Sequence, residues 1–215
     1  MKHTALRQSL IEYAIKLNSS GLSAGKSGNI SVRCEDGLLI TPTGMSYHDL
    51  SLDDIVQLDI DGNLSPPEQH TLPSSEWHFH CGIYKARPDI HAVAHAHPTY
   101  CTALACTSRN IPAFHYMVAV AGGKQIPIAP YALFGTEQLS KHVVSALESA
   151  QACLLENHGM IALGTHLDAA FNLAIEVESL AQQYCQALAL GEVTLLSDQQ
   201  MNDVIEKFKG YGQRV

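Results

Sequence analysis

Nowhere in the 215 residues do roughly eighteen apolar residues run together, and Arg7, Glu12 and Lys16 interrupt the N-terminal stretch. Neither a membrane-spanning helix nor the apolar core of a signal peptide is therefore expected. Basic residues are scarce: thirteen Lys and Arg stand against twenty-one Asp and Glu, a formal charge of −8. Nucleic acid and anionic membrane surfaces need clustered positive charge, so the expected partner is a small molecule. Cys34, Cys81, Cys101, Cys106, Cys153 and Cys185 form no Cys-x-x-Cys pair and no framework spacing, which points to free, mostly buried thiols instead of disulfides. A low-complexity linker is also lacking, and the length suits one core, so residues 1–215 read as a single soluble, cytoplasmic domain.

A phosphate loop of the P-loop type is excluded as well. Residues 22–29, Leu-Ser-Ala-Gly-Lys-Ser-Gly-Asn, look like one at first. The first glycine of that motif would fall at Ser20, however, and the loop runs into a strand at Ile30 instead of a helix. What is left is a turn whose free backbone N–H groups, with Asn29, suit a phosphate.

What is abundant is histidine, with twelve in the chain. Residues 90–98, Ile-His-Ala-Val-Ala-His-Ala-His-Pro, read as a strand with His91, Val93, His95 and His97 on one side and Ile90, Ala92, Ala94 and Ala96 on the other. His95 and His97 then lie about 7 Å apart at Cα, a span that two rings close onto one ion at about 2.0–2.1 Å each. His158 sits in a tight turn, Glu156-Asn157-His158-Gly159, between two apolar strands, where loops carry function. Spacing alone does not bring it to the pair. Ser74 or Ser75 reads as the N-cap of a helix running to Ala86, with Glu76 as a first-turn acid. Two hydroxyls at a helix start also make an anion site beside a carboxylate. Three imidazoles and Glu76 form the ligand set of a catalytic zinc site.

Other elements follow from periodicity. Helices are expected over about 6–17, 100–105, 137–147, 167–190 and 198–209, with Thr136 as one cap and Thr165 with Asp168 as a capping box. Strands are expected at 30–33, 38–41 and 53–60, the last closed by Asp61-Gly62. Residues 126–130 read as an edge strand, since proline cannot donate to a ladder.

The chain resembles the class II sugar-phosphate aldolases nearly end to end. The blocks carrying the resemblance include Gly28-Asn29-Ile30-Ser31-Val32-Arg33, Thr41-Pro42-Thr43-Gly44, Pro73-Ser74-Ser75-Glu76-Trp77, His95-Ala96-His97, His115-Tyr116-Met117, Asn157-His158-Gly159 and Lys207-Phe208-Lys209-Gly210-Tyr211-Gly212. The resemblance implies a three-layer α/β fold, with a largely antiparallel central sheet flanked by helices on both faces. It also implies a homotetramer with active sites at subunit interfaces. Zinc would sit on Glu76, His95, His97 and His158, one ion per subunit, and the phosphate of the substrate on Asn29, Thr43, Gly44, Ser74 and Ser75. Glu76 would be a general acid/base, and Tyr116 of a neighbouring subunit would exchange a proton with the aldehyde oxygen. Phe134, Phe208 and Tyr211 would line the aldehyde side. The implied reaction is a carbon–carbon lyase step, cleavage of L-fuculose 1-phosphate or a close ketose 1-phosphate to dihydroxyacetone phosphate and an aldehyde such as lactaldehyde. Sugar-phosphate 4-epimerases and dehydratases of the same superfamily are the rivals, the epimerases tending to carry Asp where this chain has Glu76. A non-catalytic adducin-like module shares the fold but predicts missing metal ligands.

Overall fold

The apolar spacing folds into six α-helices and seven strands among residues 2–210, the part that the computed structural model describes. Helix α1 (Thr4–Ser19) turns Leu10, Ile11, Ala14 and Leu17 into the core. Strands β1 (Asn29–Cys34), β2 (Gly37–Ile40) and β3 (Val56–Leu58) form an antiparallel meander. β3 is shorter than its sequence pattern predicts. Ser51 and Asp54 close a capping box on a 3-10 turn at Leu52–Asp54, and Asp59 takes up the following loop through Asn63.

Helix α2 (Trp77–Ala86), strand β4 (Ala92–Ala96) and helix α3 (Thr99–Ala105) come next, followed by β5 (Ile128–Ala129) and α4 (Glu137–Ala146). The hairpin β6 (Ala152–Leu155) and β7 (Gly159–Gly164) leads to the long α5 (Leu167–Leu190) and to α6 (Asp198–Phe208). The sheet order is β3-β2-β1-β4-β7-β6-β5. All neighbours are antiparallel except β5 and β6, which run parallel. The sheet is thus mixed, not antiparallel throughout, and its parallel member is the two-residue edge strand that Pro127 and Pro130 bracket, in keeping with the missing donors.

Helices flank this sheet, and alternate strand positions feed two separate buried clusters. Ile30, Val32, Ala92, Ala94 and Ala96 pack with residues of α1, α3 and α5. Val93, Ile161 and Leu163 pack with Phe79, Tyr84, Leu139 and Val143 from α2 and α4. The alternation read from residues 90–98 holds within β4, but His91 precedes the strand and is exposed.

Two helix starts differ from their expected form. Thr136 caps α4 as its spacing predicts, accepting from the Leu139 N–H at 3.2 Å. For α5 the cap is His166, not Thr165: its Nδ1 accepts from the Ala169 N–H, while Asp168 is engaged by Tyr13 and Asn172. The N-cap of α2 is Glu76 itself, with no capping hydrogen bond from its side chain. Ser74 is held one turn earlier, its Oγ accepting from the Glu76 N–H and its carbonyl from the Trp77 N–H. That leaves the Glu76 carboxylate free to point elsewhere. The six cysteines are all unpaired, three of them buried, and no helix of the described residues is long and apolar enough to cross a membrane.

Candidate metal centre

The register of three strands assembles the centre. β4 lies between β1 and β7, with Asn29 opposite His95 on one side and Ile161 opposite it on the other. His95 is fully buried in mid-sheet, and His97 follows at the strand end, before Pro98 turns the chain into α3. The β6–β7 turn carries Asn157 at φ 54°, so His158 swings back over the same strand end. Gly159 permits the approach: a Cβ there would sit 2.5 Å from the Ala96 carbonyl oxygen and 2.7 Å from the His97 ring. Spacing could not join His158 to the pair, but the strand register does.

One ligand atom from each of Glu76, His95, His97 and His158 lies within 4.8 Å of every other. His95 Nε2 is 3.1 Å from Glu76 Oε2 and 2.9 Å from His97 Nε2, and His158 Nε2 is 3.3 Å from Glu76 Oε1. Donor atoms around a tetrahedral zinc with bonds of about 2.0–2.1 Å stand about 3.3 Å apart, so these separations fit an ion. His95 Nδ1 donates to the Met160 carbonyl at 2.9 Å, the outer contact that orients a metal-ligating imidazole, and this turns Nε2 inward. Glu76 Oε1 is buried without a hydrogen-bond partner, a costly state for a carboxylate oxygen unless a cation faces it. Burial, then repulsion from His95, pushes His158 down to about 4, and burial with repulsion from His95 and His158 pushes His97 down to about 3. Burial alone would raise the Glu76 carboxyl. Attraction and hydrogen bonding to His95, with His158 and Asn29 behind them, outweigh it and hold the carboxyl well below its usual range. A neutral His97 and His158 beside an ionised Glu76 are protonation states that metal binding requires.

Beside this cluster opens a cavity of about 380 Å³, a size that suits a small ligand. Asn29, Thr43, Gly44, Ser74 and Ser75 all line it, together with Glu76, His97, His158 and Phe134. Backbone pairing brings the phosphate candidates together. The Thr43 N–H donates to the Leu72 carbonyl and the Ser74 N–H to Thr41, so the 41–44 turn and the start of α2 share one wall. The glycine-rich loop also lines the cavity, fixed by Tyr47 Oη donating to the Gly28 carbonyl at 2.7 Å. At Gly28, φ is +79° and a Cβ would meet Ser23 Oγ at 2.5 Å and the His95 carbonyl at 2.7 Å, so only glycine fits between loop and metal strand.

The Class II Aldolase and Adducin N-terminal domain family matches residues 8–185. The chain belongs to this family. Among curated relatives, the 5-methylthioribulose-1-phosphate/5-deoxyribulose-1-phosphate aldolase of Rhodospirillum rubrum is 51% identical over 97% of this chain and 93% of its own. The L-fuculose phosphate aldolase of Escherichia coli K12 is 48% identical over 100% of this chain and 99% of its own. A solved L-fuculose 1-phosphate aldolase superposes with a TM-score of 0.92 at 43% identity, covering 97% of this chain and 98% of that one.

In this class II aldolase fold the remaining candidates divide. Phe134 reaches the cavity rim. Tyr116 and Phe208 do not: their rings lie 6.4 Å apart around a separate small pocket with Met117 and Val120. Tyr211 lies outside the described residues. The motifs do not single out several further cavity residues, among them Lys26, Ser27, Tyr131 and Asn157. The glycine-rich loop is the available signal for the first two, since a loop that bends around a phosphate presents its side chains there too.

Proposed function

We propose that the chain is a zinc-dependent aldolase that reversibly cleaves L-fuculose 1-phosphate, or a close ketose 1-phosphate, to dihydroxyacetone phosphate and an aldehyde such as lactaldehyde. The observation that carries this reading is the meeting of two sites in one cavity, an anion cradle and a three-histidine, one-glutamate cluster. A ketose 1-phosphate has its ketone and neighbouring hydroxyl a short reach from its phosphate, which matches that pairing. When bound by Glu76, His95, His97 and His158, zinc supplies a Lewis acid for the negative charge that develops as the C3–C4 bond breaks.

The chain's own residues do the rest. Asn29, Thr43, Gly44, Ser74 and Ser75, with Lys26 beside them, hold the phosphate through local donors, so an acidic protein needs no basic patch. Glu76 takes and returns the proton at C3 of the dihydroxyacetone phosphate half. Tyr116 of a neighbouring subunit exchanges a proton with the aldehyde oxygen at C4, and Phe134, Phe208 and Tyr211 line the aldehyde side. This reading includes a cytoplasmic homotetramer with shared active sites and one zinc per subunit. It also takes the chain as one domain in three layers, supported by helices from both halves of the sequence packing on one sheet.

A second substrate has its own support in the 51% identity to the 5-methylthioribulose-1-phosphate/5-deoxyribulose-1-phosphate aldolase. Those sugars share the phosphate end and, like fuculose, finish in a methyl or methylthio group, so the two readings differ only at the tail beside Tyr131 and Phe134. The complete set of four ligands weighs against a non-catalytic adducin-like role.

The test is cleavage of L-fuculose 1-phosphate and 5-methylthioribulose 1-phosphate in parallel, reading dihydroxyacetone phosphate through a coupled dehydrogenase, before and after chelation. Cleavage lost on chelation and restored by zinc is the expected result, and the ratio of kcat/KM names the substrate. No cleavage of either sugar by zinc-loaded protein would overturn the aldolase reading and turn the search to epimerase and dehydratase assays.

A further inference from the structure

Behind the metal cluster, ending at Asn29 and Glu76, runs a line of buried polar side chains whose inner members, Tyr84, Ser31 and His80, the reaction above does not use. The Tyr84 hydroxyl is 2.9 Å from Ser31 Oγ, and Ser31 Oγ is 2.6 Å from His80 Nδ1. His80 Nε2 is 2.6 Å from Asn29 Oδ1, and Asn29 Nδ2 donates to Glu76 Oε2 at 3.0 Å. His80 and Ser31 are fully inaccessible, and Tyr84, Asn29 and Glu76 are buried around them. The line has a simple origin in sequence. Glu76, His80 and Tyr84 recur every four residues along one face of α2 and the residue that caps it, while Asn29 and Ser31 share one face of β1.

Its direction is fixed by chemistry. Asn29 Oδ1 has no hydrogen to give, so His80 Nε2 carries the proton. His80 Nδ1 is then a lone pair, Ser31 donates to it, and Tyr84 donates to Ser31. Every donor along the line points towards Glu76. The opposite tautomer would make His80 Nε2 an acceptor, turn the Asn29 amide over and set Oδ1 against the Glu76 carboxylate, acceptor facing acceptor. Burial and the neighbouring His95 push His80 down to about 3, so a neutral ring with a single proton is what the site holds.

We propose that His80 is a positioning residue that fixes the Asn29 amide so that its Nδ2 donates to Glu76 Oε2, holding this carboxylate aimed at His95 and His158 with Oε1 unencumbered. Ser31 and Tyr84 select the His80 tautomer that does this. The proposal rests on reading Glu76, His95, His97 and His158 as a metal centre, and its test uses metal binding, not turnover.

Zinc affinity is measured on the full chain by competition with a chromophoric chelator, together with the visible spectrum of the cobalt(II)-loaded chain, which reports the ligand geometry. The variants are His80→Leu, His80→Gln, Asn29→Ala and the Asn29→Ala/His80→Leu pair. His80→Leu is expected to lose roughly 10–100-fold in zinc affinity and to alter the cobalt spectrum. His80→Gln, whose amide nitrogen replaces Nε2 as donor, should stay within a factor of about two of the unmodified chain, the limit for independent sites. Adding His80→Leu to Asn29→Ala should cost no more than about another twofold, because the amide through which it acts is gone. Unchanged affinity in His80→Leu, failure of His80→Gln to rescue, or losses that multiply in the double variant would each overturn the proposal. If His80→Leu does not fold, Tyr84→Phe takes its place in the same cycle. It is expected to lose roughly two- to tenfold with Asn29 present and nothing without it, and equal losses in both backgrounds overturn the proposal. A chain that binds zinc normally but cleaves no sugar phosphate defeats the aldolase reading alone, whereas one that binds no zinc defeats both.

Discussion

In the metal-ligand cluster, His95 is inaccessible and Glu76 only 6% exposed, each tied to neighbours from other elements. Around the cavity mouth and the 3-10 turn that begins at Tyr116, aromatic side chains lie open, Tyr116 at 49% and Phe134 at 60% exposed. The two regions differ in what they handle. Charge and metal need fixed donors and exclusion of water, and one chain supplies both through the register of β1, β4 and β7. The exposed aromatic groups are held more loosely, Tyr116 by ring contacts with His115 and Phe208. Tyr116 on its own chain is directed to a pocket away from the metal cluster. In the proposed reading, one chain builds the polar half of the site, and the apolar half takes Tyr116 from a neighbouring subunit.

The sharpest way to break that comparison is to separate the roles inside the polar half. His95→Ala is expected to lose the metal and with it all cleavage, as atomic absorption of the dialysed protein would show. Glu76→Gln should keep the metal on three histidines yet lose on the order of 10²–10⁴ in turnover, the usual weight of a general acid/base. Full zinc in His95→Ala, or near-normal turnover in Glu76→Gln, would dissolve the distinction between holding the ion and moving the proton.

The next largest effect concerns the apolar half. Tyr116→Phe should lower turnover by roughly 10–100-fold without changing zinc content. Mixing Glu76→Gln chains with Tyr116→Phe chains through an unfolding and refolding cycle should then restore part of the activity, because some sites will combine an intact Glu76 with an intact Tyr116. Assay of the mixture against each parent checks this. No recovery, with mixed oligomers demonstrated by mass spectrometry, would place both residues in one chain's site.

The same contrast explains which parts of the fold and of the site are legible in the sequence. His95 and His97 are legible because two residues along a strand share a face, and Thr136 is legible because a hydroxyl three residues before an apolar helix position has one favourable use. His158 is recognisable as a turn residue but not as a partner of the pair, because β6–β7 register, not spacing, brings it there. Glu76 reads as a first-turn acid. Its true position at the N-cap depends on Ser74 being held by Thr41, a contact between distant parts of the chain. His80 carries no signal at all: a histidine on the apolar face of a helix looks like core, and only the facing Ser31 and Asn29 give it a direction. Long-range pairings of this kind are what a motif does not record.

A smaller effect follows from the imidazoles. Burial holds His80 and His97 at about 3 and His158 at about 4 in the folded chain, against about 6.5 when unfolded. The unfolded chain therefore takes up protons first as pH falls. The contribution of each group is whole above about pH 6.5 and declines towards pH 4 and below, by about 1.4 kcal/mol per pH unit for each histidine in that window. Thermal midpoints of metal-free protein between pH 7.5 and 4 should drop accordingly, and added zinc should steepen the drop, since protons then compete with the ion. A flat profile would mean that the imidazoles remain accessible to water, and the metal-ligand cluster would no longer stand apart from the cavity mouth.

The smallest expected effect lies at the boundary between the two regions. Phe134 reaches the cavity that holds the metal cluster, yet is as open as the surface aromatics, so it can meet the tail of a sugar phosphate without touching its phosphate. Phe134→Ala should then leave zinc content and the affinity for inorganic phosphate unchanged. It should alter the ratio of kcat/KM between a methyl-ended and a methylthio-ended ketose 1-phosphate by no more than roughly tenfold, the scale of one methylene-sized contact. If both substrates lose equally, Phe134 serves closure of the site and not choice of tail. If phosphate affinity falls with them, the division between a polar half that anchors and an apolar half that selects is wrong at the residue where the two meet.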